Sequence, residues 1–245
     1  MPRESGSPDH AASRRPGDDS ENEQRGFFGR RKGHPLRPHQ VTLHATLLPK
    51  LALDLSKPAP GDLRTLFPAA AEVRLEIGFG GGEHLVAQAR NNPRVGYIGV
   101  EPFLNGMAKA LAAIEHHQLT NIRLSAGDAL RLLGWLPPES LSRIDLLYPD
   151  PWPKRRHWKR RFIQHETLAR LARLLKPNAE LRFATDIDDY AVWTLARSQR
   201  SADLEWTAQT ADDWRKPWAD FAGTRYEAKA KAAGRLPCYL SFRRR

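Results

Sequence analysis

From about residue 73 onward, short apolar runs alternate with longer segments of helical period. Val73-Arg74-Leu75-Glu76-Ile77 reads as a strand. The glycine-rich stretch Gly78 to Gly82 follows it, and His84 to Arg90 opens a helix. Tyr97-Ile98-Gly99-Val100-Glu101 is a second strand. Leu104 to His117 places Leu104, Met107, Leu111 and Ile114 on one face of a helix. Asn121 to Leu124 is a third strand, ending near Asp128, and Leu141 to Tyr148 a fourth. His165 to Leu175 is a helix stopped by Lys176-Pro177-Asn178. Glu180 to Thr185 is a fifth strand, ending at Asp186, and Tyr190 to Arg200 another helix. Leu204 to Trp206 and a polar, tryptophan-rich segment lead to Cys238-Tyr239-Leu240-Ser241-Phe242, whose alternation predicts a closing strand. Strands and helices in this rhythm predict an α/β fold on a parallel sheet.

Upstream the pattern fails. Met1 to about Gly33 is polar and nearly free of aliphatic side chains, so it cannot bury enough apolar area to offset the entropy of ordering it. Residues 1–40 are read as a disordered polar and basic tail and 41–245 as one domain. The basic end of the tail, Arg25 to His39, is either an RNA-touching segment or a solvated linker. From Val41 to Leu66, Pro49, Pro58 and Pro60 break the pattern, which predicts no more than a short helix across the edge of the core.

Composition narrows the partners. The 245 residues carry a net charge of +11, which favours a polyanion. Cys238 is the only cysteine, so no internal disulfide or cysteine zinc cluster can form, which suits a reducing cytoplasm. The nine histidines do not fall at metal-ligand spacing, and no metal is expected. His84 and His157 are the two histidines near the chemistry, read as surface or RNA-contacting. No apolar run reaches the length of a membrane span. The expected state is a monomer or weak homodimer with no obligate protein partner.

Acids stand at the ends of the strands, where ligands bind in an open parallel sheet. Glu76, Glu101, Asp128 and Asp150 form this set, with Asp186 a fifth. The loop Gly78-x-Gly80-x-Gly82 has Glu83 where a dinucleotide fingerprint needs its third glycine. A carboxylate at Glu76, two residues before the loop, is awkward beside a pyrophosphate. It suits the cationic amino-acid end of S-adenosylmethionine. Glycines admit the cofactor's close approach. Glu101 is placed to accept ribose hydroxyls, and Asp128 stands near the adenine edge.

The fourth strand runs into Tyr148-Pro149-Asp150-Pro151-Trp152-Pro153-Lys154, then Arg155, Arg156, His157, Trp158, Lys159, Arg160 and Arg161. Proline restricts itself and the residue before it, so Asp150 sits on a stiff exit. Cations in such a run neutralise phosphates without reading sequence. Trp152 and Trp158 are candidate stacking partners for bases, with Trp152 the one expected to pack beneath the loop. The plainer reading, a turn followed by a solvated charged face, does not account for the acids at the same sheet edge.

These motifs, with Ala184-Thr185-Asp186 and Thr224-Arg225-Tyr226-Glu227, resemble the bacterial tRNA (guanine-N7)-methyltransferase family, often called TrmB. The likeness covers roughly Leu75 to Phe242. Tyr148 departs from it, since the family more often has phenylalanine there. The resemblance implies a single class I, Rossmann-like domain with a mostly parallel seven-stranded sheet and an antiparallel last strand. It implies methyl transfer from S-adenosylmethionine to N7 of guanosine 46 in the tRNA variable loop. By similarity Glu76, Glu101, Asp128 and Asp150 contact the cofactor, and Asp150 is catalytic. Lys154, Asp186 and Thr224, Arg225, Tyr226 and Glu227 contact the substrate, and Arg156 to Arg161 the RNA. Read on its own, Thr224-x-x-Glu227 is a helix-capping pattern. Two rival readings account for fewer of these residues: a methyltransferase acting on an exocyclic amine, and a tRNA-binding protein without catalysis.

Overall fold

A computed structural model describes residue 29 and residues 31–245. In chain order the elements are α1 (Pro38–Thr46), α2 (Leu48–Leu51), a 3-10 turn (Leu63–Leu66), β1 (Glu72–Ile77), α3 (Glu83–Asn91), β2 (Val95–Val100), α4 (Leu104–His116), β3 (Ile122–Ser125), α5 (Ala129–Trp135) and β4 (Leu141–Leu147). A second 3-10 turn (Arg155–Arg160), α6 (His165–Leu174), β5 (Leu175–Thr185), α7 (Asp188–Ser198), β6 (Leu204–Trp206), α8 (Asp212–Arg215), α9 (Arg225–Ala232) and β7 (Cys238–Arg244) follow.

The strands form one sheet in the order β3-β2-β1-β4-β5-β7-β6. The first five are parallel, and β7 runs antiparallel to both β5 and β6. The order reverses between β1 and β4, so the loops leaving these two strands part and open a crevice. The glycine loop and the Pro149-Asp150-Pro151 exit are those two loops.

The faces of the sheet follow the period of two. Val73, Leu75, Ile77, Ile98, Val100, Ile144 and Leu146 belong to one buried cluster, with α5, α6 and α7 against it. Tyr97, Ile122 and Leu124 point the other way, into a cluster with α3 and α4. Each fully buried aliphatic side chain contributes roughly 1.5–3 kcal/mol. Among the described residues no helix is long and apolar enough to cross a membrane.

Three features differ from the sequence expectation. First, α5 was missing from it. Asp128 caps this helix by accepting from the Leu130 amide at 2.9 Å, but the seven residues Ala129 to Trp135, with Gly134 near their end, are too few to show a helical period. Second, α6 ends at Leu174 and β5 begins at once with Leu175, paired to Leu141; its register to β4 then shifts past Asn178 (φ 65°), so that Glu180 pairs with Arg143. Third, the part of the expected tail from 31 to 40 is docked. Leu104 N–H donates to the Arg31 carbonyl at 2.9 Å. The Asn105 side chain accepts from Gly33 N–H and donates to the His34 carbonyl, both at 2.7 Å. Helix α1 starts at Pro38, whose fixed φ suits a first helical position. The expectation for residues 1–28 and 30 lies outside the described residues. The short edge helix is realised as α1 and α2, whose Leu43, Leu48 and Leu51 enter the second cluster. Just beyond them, Leu53 N–H bonds the Leu124 carbonyl at 2.9 Å and covers the edge of β3.

Close backbone approach fixes the top of α4. A Cβ on Gly106 would lie 2.3 Å from the Gly80 carbonyl oxygen. In an open helix, glycine to alanine gains up to about 1 kcal/mol. Here Gly106→Ala is expected to lower stability by about 1–3 kcal/mol, read as a fall in the denaturation midpoint at unchanged slope.

Candidate functional site

The crevice holds a cavity of about 470 Å³, within the range of small-molecule sites. Gly78 and Gly80 form one wall, Glu101 and Asp128 stand at the ends of β2 and β3, and Tyr148, Asp150 and Trp152 come from the exit of β4. Tyr226 closes it from α9. The sequence-predicted acids 101, 128 and 150 therefore share one space. Glu76, Gly82, Lys154, Asp186, Thr224, Arg225 and Glu227 are not on its walls.

Gly80 has φ +58°, and a Cβ there would meet the Tyr226 ring at 3.3 Å, so glycine lets the ring lie on the loop. The Glu101 carboxylate braces the same turn. It accepts from Gly80 N–H at 2.6 Å and Phe103 N–H at 2.8 Å. Burial raises its pKa, and these two amides work against that rise. Each carboxylate oxygen keeps a second lone pair, so the side chain can still accept from a ligand. Asp128 divides its carboxylate in the same way between capping α5 and facing the cavity.

The β4 exit is strained as well as stiff. Tyr148 has φ +51° and Trp152 φ +44°, a region that costs non-glycine residues of order 1–3 kcal/mol. Tyr148 is held there by its amide, which donates to the Ala184 carbonyl at 2.8 Å. Asp150 keeps contact with solvent at the open mouth. The surrounding walls nonetheless displace enough water to push its carboxyl above the ordinary range.

The basic run divides in two. Lys154, Arg155, Arg156 and Lys159 are exposed. His157 packs edge-on to Trp152 at 5.7 Å, and Arg160 lies over the same ring at 5.0 Å. Lost hydration and the charges of Arg160 and Arg156 lower the His157 pKa. Arg161 departs from the rest of the run: it is 1 % exposed, set into the cavity wall and not on the exposed loop surface. The expectation for the two tryptophans is reversed. Trp158 packs on Trp193, ring centres 5.3 Å apart, while Trp152 lines the cavity.

Thr224 to Glu227 is a capped helix start, with Thr224 Oγ1 accepting from Glu227 N–H at 3.1 Å. Of these four residues Tyr226 reaches the cavity. The others line a second recess with Glu83 and Lys231. Arg225 pairs with Glu83 at 2.7 Å. Glu227 is buried, accepting from Tyr239 OH and pairing with Lys231, both at 2.5 Å. Asp186 pairs with Arg235 at 2.6 Å.

Glu76 lies under the glycine loop, 2.8 Å from His84 Nδ1. His84 is 1 % exposed, which overturns its reading as a surface group. Its ring packs on Phe221 at 5.3 Å. The neighbouring Arg143 bonds Asp145, Gln88 and Asp220 at 2.9, 2.8 and 2.6 Å. Arg182 reaches the other oxygen of Asp220 at 2.6 Å. Burial acts to raise the Asp220 pKa, but the two guanidinium groups prevail and hold it at about 2. Sequence reading passed over this network, and gave Arg161 to the RNA without its partners, because the partners are far apart along the chain.

Residues 70–238 match the family model described as "Putative methyltransferase". A tRNA (guanine-N(7)-)-methyltransferase of Bradyrhizobium diazoefficiens is 60 % identical over 227 residues, 92 % of this chain and 96 % of that one. A protein of the same name from Nitrobacter winogradskyi is 55 % identical over 246 residues, 96 % of each chain. Among solved structures, the aminoglycoside resistance methyltransferase NpmB1 aligns with a TM-score of 0.51 at 19 % identity, over 77 % of this chain and 95 % of that one. The 16S rRNA methyltransferase KamB gives 0.51 at 16 %, over 77 % and 94 %. These two similarities concern the fold.

The buried pair generates a pH prediction. Burial acts to lower the His84 pKa, but the Glu76 charge and hydrogen bond prevail and hold it above 6.5. Burial likewise raises Glu76. The native pair thus keeps a proton that the unfolded chain has released, and its stabilising contribution is lost as pH rises above about 6.5. Thermal melts of His84→Gln are expected to decline less than wild type between about pH 6.5 and 9.

Proposed function

Because the chain belongs to the tRNA (guanine-N7)-methyltransferase family, we propose that its cavity aligns guanosine 46 of the tRNA variable loop with the methyl group to be transferred. The enzyme transfers methyl from S-adenosylmethionine to N7 of a guanine in tRNA. The observation that carries the finer reading is the shared cavity: the glycine backbone, Glu101, Asp128 and Asp150 meet at one rim, beside an exposed cationic loop.

The residues suit this cofactor. The space beside Gly78 is open, so a ligand can lie against the backbone. The three carboxylates match hydroxyl and amine donors and would repel a pyrophosphate. Glu101 takes the ribose hydroxyls and Asp128 the adenine side, against Ala129 and Leu130. Gly78, Gly80 and Gly82 shape the loop. Glu76 acts from beneath it, and Asp150 completes the set. Bound S-adenosylmethionine supplies an electrophilic methyl group on a sulfonium.

Guanine N7 carries an in-plane lone pair at neutral pH, so no residue has to remove a proton to create the nucleophile. What remains is alignment, which can supply much of a rate enhancement, and stabilisation of a ring that becomes cationic. Asp150, ionised, is placed for the second task and is the proposed catalytic residue. It also offers an acceptor to guanine N1–H or the N2 amine, which adenine lacks. Lys154, Asp186, Thr224, Arg225, Tyr226 and Glu227 form the substrate side. Asp186 and Glu227 enter that role from the ion pairs they hold with Arg235 and Lys231. Lys154, Arg155, Arg156 and Lys159 track phosphates, with His157 and Arg160 nearer the mouth. The protein is proposed to work in the cytoplasm as a monomer or weak homodimer.

Incubation with labelled S-adenosylmethionine and unmodified tRNA, followed by cleavage at N7-methylguanosine, tests the assignment. Label at one variable-loop guanosine supports it; label on an exocyclic amine or elsewhere in the tRNA refutes it. Asp150→Asn is expected to lower kcat by about a hundredfold while cofactor affinity, read by calorimetry, changes far less. Because burial raises the Asp150 pKa, wild-type kcat should fall as pH drops through that raised value, and Asp150→Asn should lose this acid limb. Neutralising Arg155, Arg156 and Lys159 together should weaken tRNA binding and reduce its salt slope by about 0.7–0.9 per lost phosphate contact. Filter binding across a salt series measures it.

A further inference from the structure

Within a run of eight residues from Lys154 to Arg161 that contains five other Lys and Arg side chains, Arg161 alone is fully buried. Its guanidinium lies 5.0 Å from the Trp158 and Tyr190 ring centres and 4.8 Å from that of Trp193. Such stacking stabilises a cation that has lost its water. The charge is met by the Asp189 carboxylate at the start of α7. Nε donates to the Pro151 carbonyl at 2.8 Å. That carbonyl belongs to the residue after Asp150, on the backbone between Asp150 and Trp152.

This one bond closes the base of the loop from Pro151 to Arg161. Asp150 and Trp152, which line the cavity, sit at one end of it, and the exposed cations lie within it. The other end is fixed to α7 through Asp189 and to α6 through Gln164, whose side chain donates to the Trp158 and Arg161 carbonyls at 2.9 and 3.0 Å. The strained φ values of Tyr148 and Trp152 require an outside hold of this kind.

We propose that Arg161 is a positioning residue for methyl transfer: it locks the Pro149-Asp150-Pro151-Trp152 turn against α7 and so sets the direction of the Asp150 carboxylate. It makes no contact with RNA. The inference rests on the methyl-transfer reading, and its test separates the two. A phosphate contact tolerates lysine, because the charge survives. The bond to Pro151 does not, because lysine has neither Nε–H nor the planar fork that stacks among three rings.

Arg161→Lys is therefore compared with wild type already shown to methylate guanine N7 in tRNA. The expected result is a fall in kcat of at least about tenfold, in keeping with the cost of a small misplacement. KM for tRNA, cofactor affinity and the salt slope of tRNA binding should stay close to wild type. Asp189→Asn, which leaves the arginine in place and removes its counter-charge, should lower kcat in the same way but less. It serves if the lysine variant does not fold. A readout independent of activity is limited trypsin digestion: with the clamp loosened, the loop from 154 to 160 should be cut faster in both variants. A raised KM for tRNA at unchanged kcat would return Arg161 to the RNA surface. Unchanged kcat together with unchanged trypsin cutting would overturn the proposal outright, whatever the wild-type activity proves to be.

Discussion

Charge buried on a β-sheet has to be paired, and the pairing of Arg143 organises the rest of this molecule. The register places Glu76 opposite Asp145, and Asp145 opposite Arg182, so three charged side chains form a row across β1, β4 and β5. Arg143 stands beside this row. Removing one partner of a buried pair costs about 3–5 kcal/mol, because a charge is then left in a poorly polarisable interior. The pairing is completed by Asp220, in the segment before α9, which binds Arg143 and Arg182 with separate oxygens. Gln88 ties the Asp220 carbonyl to α3 as well. The segment leading to Thr224 is thereby fixed over the sheet, and Tyr226 arrives on the glycine loop. A structural ion network thus decides where the substrate side of the cavity meets the cofactor side.

The site itself separates its charges by side. Glu101, Asp128 and Asp150 stand on one side of the cavity at the strand ends, and Lys159, Arg160 and Arg161 reach its wall from the loop between Pro151 and Arg161. A sulfonium and a developing guanine cation favour the first, and a phosphate backbone the second. Asp150 and the cationic loop lie within a dozen residues of chain. Arg161 is held among aromatic rings, where it bonds the Pro151 carbonyl and pairs with Asp189.

Much of this was legible in the sequence, for definable reasons. Strands with one buried face repeat every two residues, and a residue ending such a strand is at the sheet's edge. For that reason the sequence groups Glu101, Asp128 and Asp150, although it puts Glu76 and Asp186 in the same set and these two lie off the cavity walls. The glycine loop was legible because Glu76 and Glu83 flank it. Other features depend on partners remote in sequence. Nothing in Arg155 to Arg161 marks the last arginine as buried; its cage comes from Tyr190 and Trp193, some thirty residues later. His84 likewise reads as an ordinary polar residue at a helix start until Phe221 and Glu76 close around it. Helix α5 escaped because its seven residues are too short a stretch to show a period.

The placement of β7 carries a consequence for how the chain is made. It is the last strand in sequence, yet it sits between β5 and β6 and pairs with both. While the polypeptide leaves the ribosome, those two neighbours wait with open hydrogen-bonding edges until Cys238–Arg244 arrives. Such edges are templates for pairing with other nascent chains. The sheet is therefore sealed only once residues 238–244 have been made, and a chain that stops before this segment is exposed to aggregation and not merely inactive.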